Sequence, residues 1–250
     1  PMRRFHIPAD RIANNVPEII GNDARHIAQV LRMRPGDRVE LFDGSGWVYA
    51  ARLDSVNPQR VRVSVLERHR SPRESPLQLV VATGYLKDKK MDAVARSLTE
   101  LGVTRWLPYF AKHSVPSPDA KRLTARLQRW QKISLEAVKQ CERGRPMEID
   151  LQQNLADTLA AAHGSDLKLI FWERGGGDLR LPRQDADRAP ASAVLLLGPE
   201  GGFDPEETAA AQAAGFASVS LGPRILKAET AILSACTLVQ HHYGDMGKSA

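Results

Sequence analysis

Long apolar runs and cysteine clusters are both missing from this 250-residue sequence. No run of about 18 or more apolar residues occurs, so we expect no membrane span. The first residues, PMRRFHIP, lack the apolar core of a secretory signal, and we expect a cytoplasmic protein. Cys141 and Cys236 have no CxxC spacing, which argues against a disulfide framework or a bound metal and fits a reducing cytosol. We interpret both cysteines as small core residues.

Two common phosphate-binding motifs are also missing, although a glycine-rich turn follows an apolar strand in LLLGPEGGFDPEE (195–207). A P-loop needs a Lys-Ser/Thr pair after its glycines, whereas Phe203 and Asp204 follow here, and GPEGGF does not match GxGxxG. Glu200 would repel a pyrophosphate. The turn therefore favours a neutral or cationic ligand, held largely by backbone groups.

Charge is distributed unevenly along the chain, whose formal net charge is +6. Residues 1–73 carry 13 Lys and Arg against 8 Asp and Glu, and residues 74–147 carry 14 against 7. Residues 148–250 carry 8 against 14. A basic first three-fifths indicates a polyanionic partner for that part of the chain, although solvated surface charge is the plain alternative.

The first part of the chain has the patterns of short strands. Residues 39–53 form two alternating runs around Asp43-Gly44-Ser45-Gly46, which predicts a hairpin, and 60–67 alternates with Val61, Val63 and Val65 inward. A short helix is predicted at 22–33. These elements predict a small β-barrel. The charged, proline-containing stretch RHRSPRESP (68–76) is the candidate linker.

Strands and helices alternate after that stretch. Apolar strands are predicted at 77–84, 103–110, 166–173, 192–198 and 216–222, and the helices between them include a long one at roughly 118–142. Asp204, Pro205 and Glu207 form a strong helix start, and Gly244 ends the last helix. The alternation predicts an α/β domain with a mostly parallel sheet and helices on both faces. We place the domains at 1–70 and 77–250, with 71–76 as the linker.

A second turn, in SLGPRILKAET (220–230), repeats the Leu-Gly-Pro of the first turn. If the two strands are neighbours in a parallel sheet, both turns lie at their carboxyl ends, where such sheets bind ligands. The two turns are therefore expected to form one site.

The chain resembles the RsmE family of 16S ribosomal RNA uridine-N3 methyltransferases, within the SPOUT superfamily. The matching pieces are HIAQVLRMRPGD at 26–37, LKDKKMDAVARSLTELGV at 86–103, EAVKQCERGRPMEI at 136–149, LLGPEGGFDPEE at 196–207 and LGPRILKAETA at 221–231. Lys227 stands where the family more often has arginine, and Cys141 where it more often has serine. Lys227 keeps the charge but loses the planar fork that makes bidentate contacts.

The resemblance implies an N-terminal PUA-like RNA-binding β-barrel and a C-terminal SPOUT α/β domain that contains a trefoil knot. It also implies S-adenosyl-L-methionine as cofactor, a homodimer, and 16S ribosomal RNA or the small ribosomal subunit as partner. The cofactor residues implied by the resemblance are Leu197, Gly198, Pro199, Glu200, Gly201, Leu221, Gly222, Arg224, Ile225, Leu226, Thr230 and Ala231.

Chemistry at uridine N3 requires loss or sharing of the imide proton, and positive groups that favour the uridinate could replace a strong base. The catalytic candidates are Arg224 and Lys227 as electrostatic stabilisers, with Glu200 or Glu229 as proton acceptor or ligand anchor. For RNA, the candidates are the basic residues Arg3, Arg4, Arg25, His26, Arg32, Arg34, Lys87, Lys89, Lys90 and Arg143. Two alternatives stay open: a related ribose 2′-O-methyltransferase, and a non-catalytic RNA-binding assembly factor.

Overall fold

The computed structural model describes residues 2–13, 17–112, 114, 119–173 and 189–247. The chain divides into two compact units. The first contains the chain up to Glu74 together with Val138–Pro146, and the second contains Ser75–Ala137 and the chain from Met147 onward.

The N-terminal unit is built on a five-stranded sheet in the order β1-β3-β4-β5-β2. Its strands are β1 (Arg4–His6), β2 (Glu18–Ile20), β3 (Arg38–Phe42), β4 (Trp47–Val56) and β5 (Arg60–Arg70). β1 pairs with β3 in parallel, and the other neighbours are antiparallel. The hairpin predicted at 39–53 is confirmed, because β3 and β4 pair directly on either side of Asp43–Gly46.

Two short helices, α1 (Ala9–Ala13) and α2 (Gly21–Arg25), accompany this sheet. α2 continues as a π-helical turn over His26–Val30 and buries Ile27. The helix predicted at 22–33 is therefore present but ends earlier, and Arg32 then adopts a left-handed φ of 51°. The buried face of this helix packs against the apolar side of the sheet, which includes Val39, Leu41 and Val61.

The structure corrects two predictions for β5. The strand extends to Arg70, so residues 68–70 pair with β4 and are not part of a linker. Val65 was expected to point inward, but it is 38% exposed, while Val61 and Val63 are buried. Val65 pairs with Ala51, next to a register shift of the ladder between Ala50 and Ala51.

The second unit contains a six-stranded sheet in the order β11-β9-β10-β6-β7-β8. Its strands are β6 (Gln78–Gly84), β7 (Arg105–Tyr109), β8 (Glu148–Ile149), β9 (Leu167–Phe171), β10 (Ser192–Leu197) and β11 (Ala217–Val219). Every neighbouring pair is parallel, which confirms and sharpens the prediction of a mostly parallel sheet.

Five helices belong to the α/β part of the chain: α3 (Asp88–Glu100), α4 (Ala120–Cys141), α5 (Leu155–Ala161), α6 (Pro205–Ala213) and α7 (Ala228–Tyr243). Successive residues of β10 face opposite sides, with Leu195 in one apolar cluster and Leu196 in the other. The first cluster includes residues of α3, α4 and α7, and the second includes Ala211 of α6. Helices therefore cover both faces, as the alternation predicted.

Cys236 and Cys141 are not joined in a disulfide, and only Cys236 is a core residue. Cys236 is fully buried, and burial raises the pKa of its thiol. Cys141, at the end of α4, is partly exposed, so our interpretation of it as a core residue was wrong. Among the helices that the structure describes, none is long and apolar enough to span a bilayer.

Candidate functional site

An open cleft of about 630 Å³ lies at the carboxyl ends of β9, β10 and β11. Each of these strands contributes the loop that follows it, and the first residues of α3 and α7 complete the wall. The lining residues are Phe171–Glu173, Leu197–Phe203, Ser220–Gly222, Arg224–Ala228, Ala231, Lys87 and Lys90. This is the edge at which open parallel sheets bind their ligands.

The first loop is held in place by residues of β6 and β7. The Tyr109 hydroxyl donates to the Leu197 carbonyl at 3.1 Å, and burial raises the pKa of this tyrosine well above its usual value. Tyr109 therefore stays a hydrogen-bond donor at physiological pH. At Gly84, the end of β6, a Cβ atom would lie 2.4 Å from the backbone nitrogen of Pro199, so only glycine allows the loop to approach this closely.

The loop ends at a helix start that the sequence correctly predicted. Asp204 caps α6 by accepting a hydrogen bond from the backbone of Glu206, and Glu207 accepts one from the backbone of Asp204 at 3.0 Å. Lys112 adds an ion pair to Asp204 at 3.1 Å. This capping box fixes the position at which the glycine-rich loop becomes helical.

The second loop, Ser220–Lys227, is open to solvent over most of its length. Gly222 has a φ of 104°, and its backbone N–H donates to the Ser220 hydroxyl at 3.2 Å, which turns the chain away from the sheet. Ile225 is 87% exposed, and Arg224 is exposed beside it. The cleft thus has one loop packed against the sheet and one loop facing solvent.

Lys90, in the first turn of α3, joins the two sides of the cleft. Its ammonium group contacts Glu200 of the first loop at 2.6 Å and Glu229 of the first turn of α7 at 3.2 Å. These hydrogen bonds, led by that to Glu200, raise the pKa of Lys90. A backbone hydrogen bond at the start of α7, aided by Lys90, lowers the pKa of Glu229. Glu229 is therefore ionised at neutral pH and is a weak base.

Three other cationic residues line the cleft and are exposed: Lys87, Arg224 and Lys227. In the described part of the chain, none of them forms an ion pair with a carboxylate. Lys227 lies close enough to Glu229 to contribute to the lowering of its pKa. The open side of the cleft therefore carries positive charge that remains available to an anion.

The structure brings together nearly all of the cofactor residues that the resemblance implied. Eleven of the twelve line the cleft, and Thr230 does not. Sequence reasoning missed Phe171, Trp172 and Glu173, and it assigned Lys87 and Lys90 to RNA alone. The place of Phe171–Glu173 at the end of an apolar strand was a signal that could have found them, because the neighbouring strands end at the same edge.

Apart from Lys90, the predicted RNA-binding residues separate into two groups. Arg3, Arg25, His26, Arg32, Arg34, Lys87 and Lys89 are exposed. Arg4 is only 9% exposed, pairs with Glu40 and donates to the Val138 carbonyl. Arg143 is buried and makes two hydrogen bonds to one oxygen of Glu74. The guanidinium groups of Arg4 and Arg143 already bind partners within the N-terminal unit, so neither residue is expected to contact RNA.

Potential metal ligands do not cluster in the described residues, where no group of three or more His, Cys, Asp or Glu side chains could hold an ion. Near the cleft, Glu200 and Glu229 pair with Lys90, and Asp204 caps a helix.

Two family models match the chain, and their limits follow the two parts of the fold. The model described as an RNA methyltransferase domain matches residues 73–240, and the one described as an RNA methyltransferase PUA domain matches residues 19–66. The fold and the site thus define the class, an RNA methyltransferase with a PUA domain.

Relatives narrow the class to one family. The Bacillus subtilis ribosomal RNA small subunit methyltransferase E is 29% identical, with 89% of each chain covered. The protein of that name from Synechocystis is 31% identical over 91% of this chain and 74% of its own. This chain belongs to the ribosomal RNA small subunit methyltransferase E family, which confirms the resemblance to RsmE.

Solved structures agree with this assignment. The Neisseria gonorrhoeae ribosomal RNA small subunit methyltransferase E, solved bound to S-adenosyl methionine, is 31% identical, with a TM-score of 0.83 and coverage of 98% of this chain and 99% of that one. A Legionella pneumophila methyltransferase solved with bound SAM is 28% identical, with a TM-score of 0.85 and coverage of 98% and 99%.

Proposed function

We propose that this protein transfers a methyl group from S-adenosyl-L-methionine to N3 of a uridine in the 16S RNA of the small ribosomal subunit. The observation that carries this proposal is the cleft formed jointly by the two Leu-Gly-Pro loops, at 197–199 and 221–223. The relatives named for small-subunit ribosomal RNA support the substrate class. The choice of uridine N3 rests on the family resemblance.

The lining of the cleft suits this donor. Leu197, Leu221 and Leu226 offer apolar surface for an adenosine, and the glycines leave backbone groups accessible for hydrogen bonds. The donor carries a sulfonium and an α-ammonium group and no phosphate, so the carboxylates of Glu173 and Glu200 in the lining do not oppose it. When bound, the donor supplies an electrophilic methyl group.

The residues of this chain act on the other reactant, the uridine. Arg224 and Lys227 place positive charge at the open side of the cleft, where they favour the uridinate over the neutral base. Glu229 serves as an anchor for Lys90, because its lowered pKa makes it a poor proton acceptor. Glu200 remains the candidate acceptor of the imide proton, and its contact with Lys90 fixes its position.

The exposed basic residues Arg3, Arg25, His26, Arg32, Arg34, Lys87 and Lys89 form the RNA-binding set of this proposal. Arginine forks bind phosphates well, and phosphate contacts position an RNA without reading its sequence. A protein that modifies small-subunit RNA works where ribosomal subunits are assembled, so we infer a cytoplasmic location. We also infer a homodimer, as the resemblance implies.

We infer that the second unit is a SPOUT domain whose last part forms a trefoil knot. The chain leaves β11 at one edge of the sheet, passes through the Ser220–Lys227 loop, and enters α7. α7 packs against α3 and against β10 in the interior of the sheet. The chain thus returns past the loop that follows β10, and this course supports the proposed knot.

Mass spectrometry of nucleosides tests the proposed reaction. After incubation of small-subunit RNA with the protein and labelled donor, the label should appear in N3-methyluridine. Label in a 2′-O-methyl nucleoside would instead establish the ribose methyltransferase. Binding of RNA without binding of donor, measured by calorimetry, would establish the non-catalytic assembly factor.

A further inference from the structure

Trp47, the first residue of β4, lies beside two arginines of β5. Arg70 is its direct partner in the ladder, and Arg68 lies two residues away on the same side of the strand. The guanidinium carbons of Arg70 and Arg68 are 4.2 and 5.0 Å from the centroid of the Trp47 ring. Both distances are within the range of cation–π attraction, which holds each planar group near the ring.

A third arginine approaches from another part of the N-terminal unit. Arg145 donates to the carbonyl oxygen of Ser45 at 2.9 Å, and Arg70 donates to the same oxygen at 3.3 Å. Two guanidinium groups therefore converge on one acceptor. Both are exposed, as is Arg68.

Glycines allow the loops that carry these groups to touch. The Gly46 N–H donates to the Gly144 carbonyl at 3.3 Å, and Ser71 N–H donates to the Gly46 carbonyl at 2.9 Å. A Cβ atom at Gly144 would lie 2.8 Å from Cβ of Ser71, so a larger residue would separate the loops. The placement of Arg145 beside Arg70 is thus built into the backbone.

The charge of this cluster is not neutralised within the described part of the chain, where no ion pair joins Arg68, Arg70 or Arg145 to a carboxylate. Three other exposed arginines of the same sheet are paired: Arg60 and Arg62 with Glu18, and Arg52 with Asp54.

Two acidic groups close to these loops in the sequence are already engaged. Asp43 is buried and accepts hydrogen bonds from Ser45 and the Tyr49 hydroxyl. Glu74 pairs with Arg143 and accepts from the backbone N–H groups of Gly144 and Arg145. Three like charges held together in this way favour binding of a polyanion.

We propose that Arg68, Arg70 and Arg145 bind the phosphodiester backbone of the substrate RNA, with Trp47 as a positioning residue that orients Arg68 and Arg70. This proposal rests on the proposed function for the identity of the polyanion. A guanidinium fork binds phosphate oxygens in a bidentate manner, and orientation by the ring reduces the entropy lost on binding. The four residues, the Trp47 surface, add to the exposed basic set described above.

The test compares the protein with its Arg70→Gln/Arg145→Gln variant, using a fluorescent transcript of small-subunit ribosomal RNA at several salt concentrations. The variant should bind about 10-fold more weakly at low salt, and the slope of log K against log salt should become shallower by about 1.4 to 1.8, since two phosphate contacts are lost. The matched control is Arg52→Gln/Arg60→Gln, which removes the same charge from paired arginines of the same sheet and should leave the slope within about 0.3 of wild type.

Trp47 is tested with all three charges retained. Trp47→Leu should weaken RNA binding about 3-fold or more, and Trp47→Phe should restore most of the affinity because it keeps an aromatic face. A purely electrostatic role for the cluster would leave the Trp47→Leu affinity unchanged and would overturn the positioning role. Thermal melts establish that each variant is folded.

Methyl transfer is measured separately, so that failure of this proposal differs from failure of the proposed function. RNA binding that depends on Arg70 and Arg145 in a protein that transfers no methyl group would support the Trp47 surface and contradict the proposed function. If the Arg70→Gln/Arg145→Gln variant transfers methyl groups and keeps the RNA affinity and salt slope of wild type, the result would contradict the Trp47 surface and support the proposed function. If the double variant instead loses affinity only for anionic phospholipid vesicles, the surface is not an RNA site.

Discussion

Lys90 is in the first turn of α3 and binds two carboxylates that are 110 and 139 residues away in the sequence. The sequence motif LKDKK suggested an RNA contact for this lysine, because a run of lysines before a helix usually faces solvent. The structure gives it an internal role instead, as the link between Glu200 and Glu229. Such a link depends on long-range contacts that no local pattern displays.

Arg224→Ala is predicted to impair catalysis far more than donor binding. Arg224 is exposed, and the described part of the chain offers it no ion pair, so Arg224→Ala should change the free energy of unfolding by less than about 0.5 kcal/mol. Removal of one positive group from the site of a developing anion should lower kcat about 100-fold. The donor Kd, measured by calorimetry, should change less than about 3-fold, which is a difference of less than about 1 kcal/mol in the free energy of donor binding.

The matched control for Arg224 is Arg122→Ala, which removes an exposed arginine of α4 that is paired with Asp119. It should leave kcat and donor binding near wild type. Near-normal single-turnover methylation by Arg224→Ala would remove Arg224 from the catalytic residues.

Gly84 is predicted to be indispensable to the shape of the first loop. A Cβ atom there would lie 2.4 Å from the nitrogen and 2.8 Å from Cα of Pro199, and both are backbone atoms that cannot rotate away. Gly84→Ala should therefore destabilise the protein by about 1–3 kcal/mol and displace the loop. Donor affinity, measured by calorimetry, should fall about 10-fold.

Val61→Ala, in the core of the N-terminal unit, is the comparison for Gly84→Ala. It should lower the thermal midpoint without changing donor affinity. Equal donor binding by wild type and Gly84→Ala would show that the approach of Pro199 to β6 is not needed for the site.

At the scale of the secondary-structure elements, the side chain of Asp166 links the start of β9 to the start of β10. One of its oxygens accepts hydrogen bonds from the backbone N–H groups of Ala191 and Ser192 and from the Ser192 hydroxyl, at 2.9 to 3.0 Å. The bond from the Ser192 hydroxyl is the largest cause of a lowered pKa for Asp166, followed by the Ser192 backbone. Asp166 thus holds the beginning of β9 to that of β10.

The lowered pKa gives the stability contribution of Asp166 a defined pH dependence. Because the folded pKa is below the unfolded value of about 3.9, the contribution is present above pH 4 and is lost as the pH falls through the folded pKa. Asp166→Asn should lower Tm at pH 7, and the difference from wild type should shrink on acidification below pH 4. Calorimetric scans at pH 7 and pH 3 measure this.

Glu148→Gln, on β8, serves as the control for Asp166→Asn, since this exposed side chain accepts no hydrogen bond in the described part of the chain. It should change Tm little at pH 7. A Tm difference for Asp166→Asn that is as large at pH 3 as at pH 7 would contradict the pH dependence.

The elements were predictable wherever local chemistry decides them. The capping box at Asp204 and the hairpin at Asp43–Gly46 are written in short motifs, and the apolar runs of β9 and β10 are typical of strands buried on both faces. The limits of β5 were not predictable, because the ladder with β4 carries it to Arg70. Pairing between strands, and not propensity, determined those details.

At the scale of the whole molecule, charge and fold divide the chain differently. The uneven charge gave no sign of the segment Val138–Pro146, which joins the N-terminal unit although it follows more than 60 residues of the second. That segment brings Arg145 to the Trp47 surface and buries Arg143 against Glu74. The cleft could be predicted as two meeting loops, because parallel strands end at one edge. The expectation that the two strands are neighbours was wrong, since β9 lies between β10 and β11.

A crystal structure of the protein with S-adenosyl-L-methionine tests the central claim most directly. We expect the adenosine part of the donor to contact backbone atoms of both Leu197–Gly202 and Leu221–Leu226, with its methyl group directed toward the side of the cleft that carries Arg224 and Lys227. Donor density away from both loops, or contact with neither of them at saturating donor, would contradict the proposal that the two Leu-Gly-Pro loops together form the methyl-donor site.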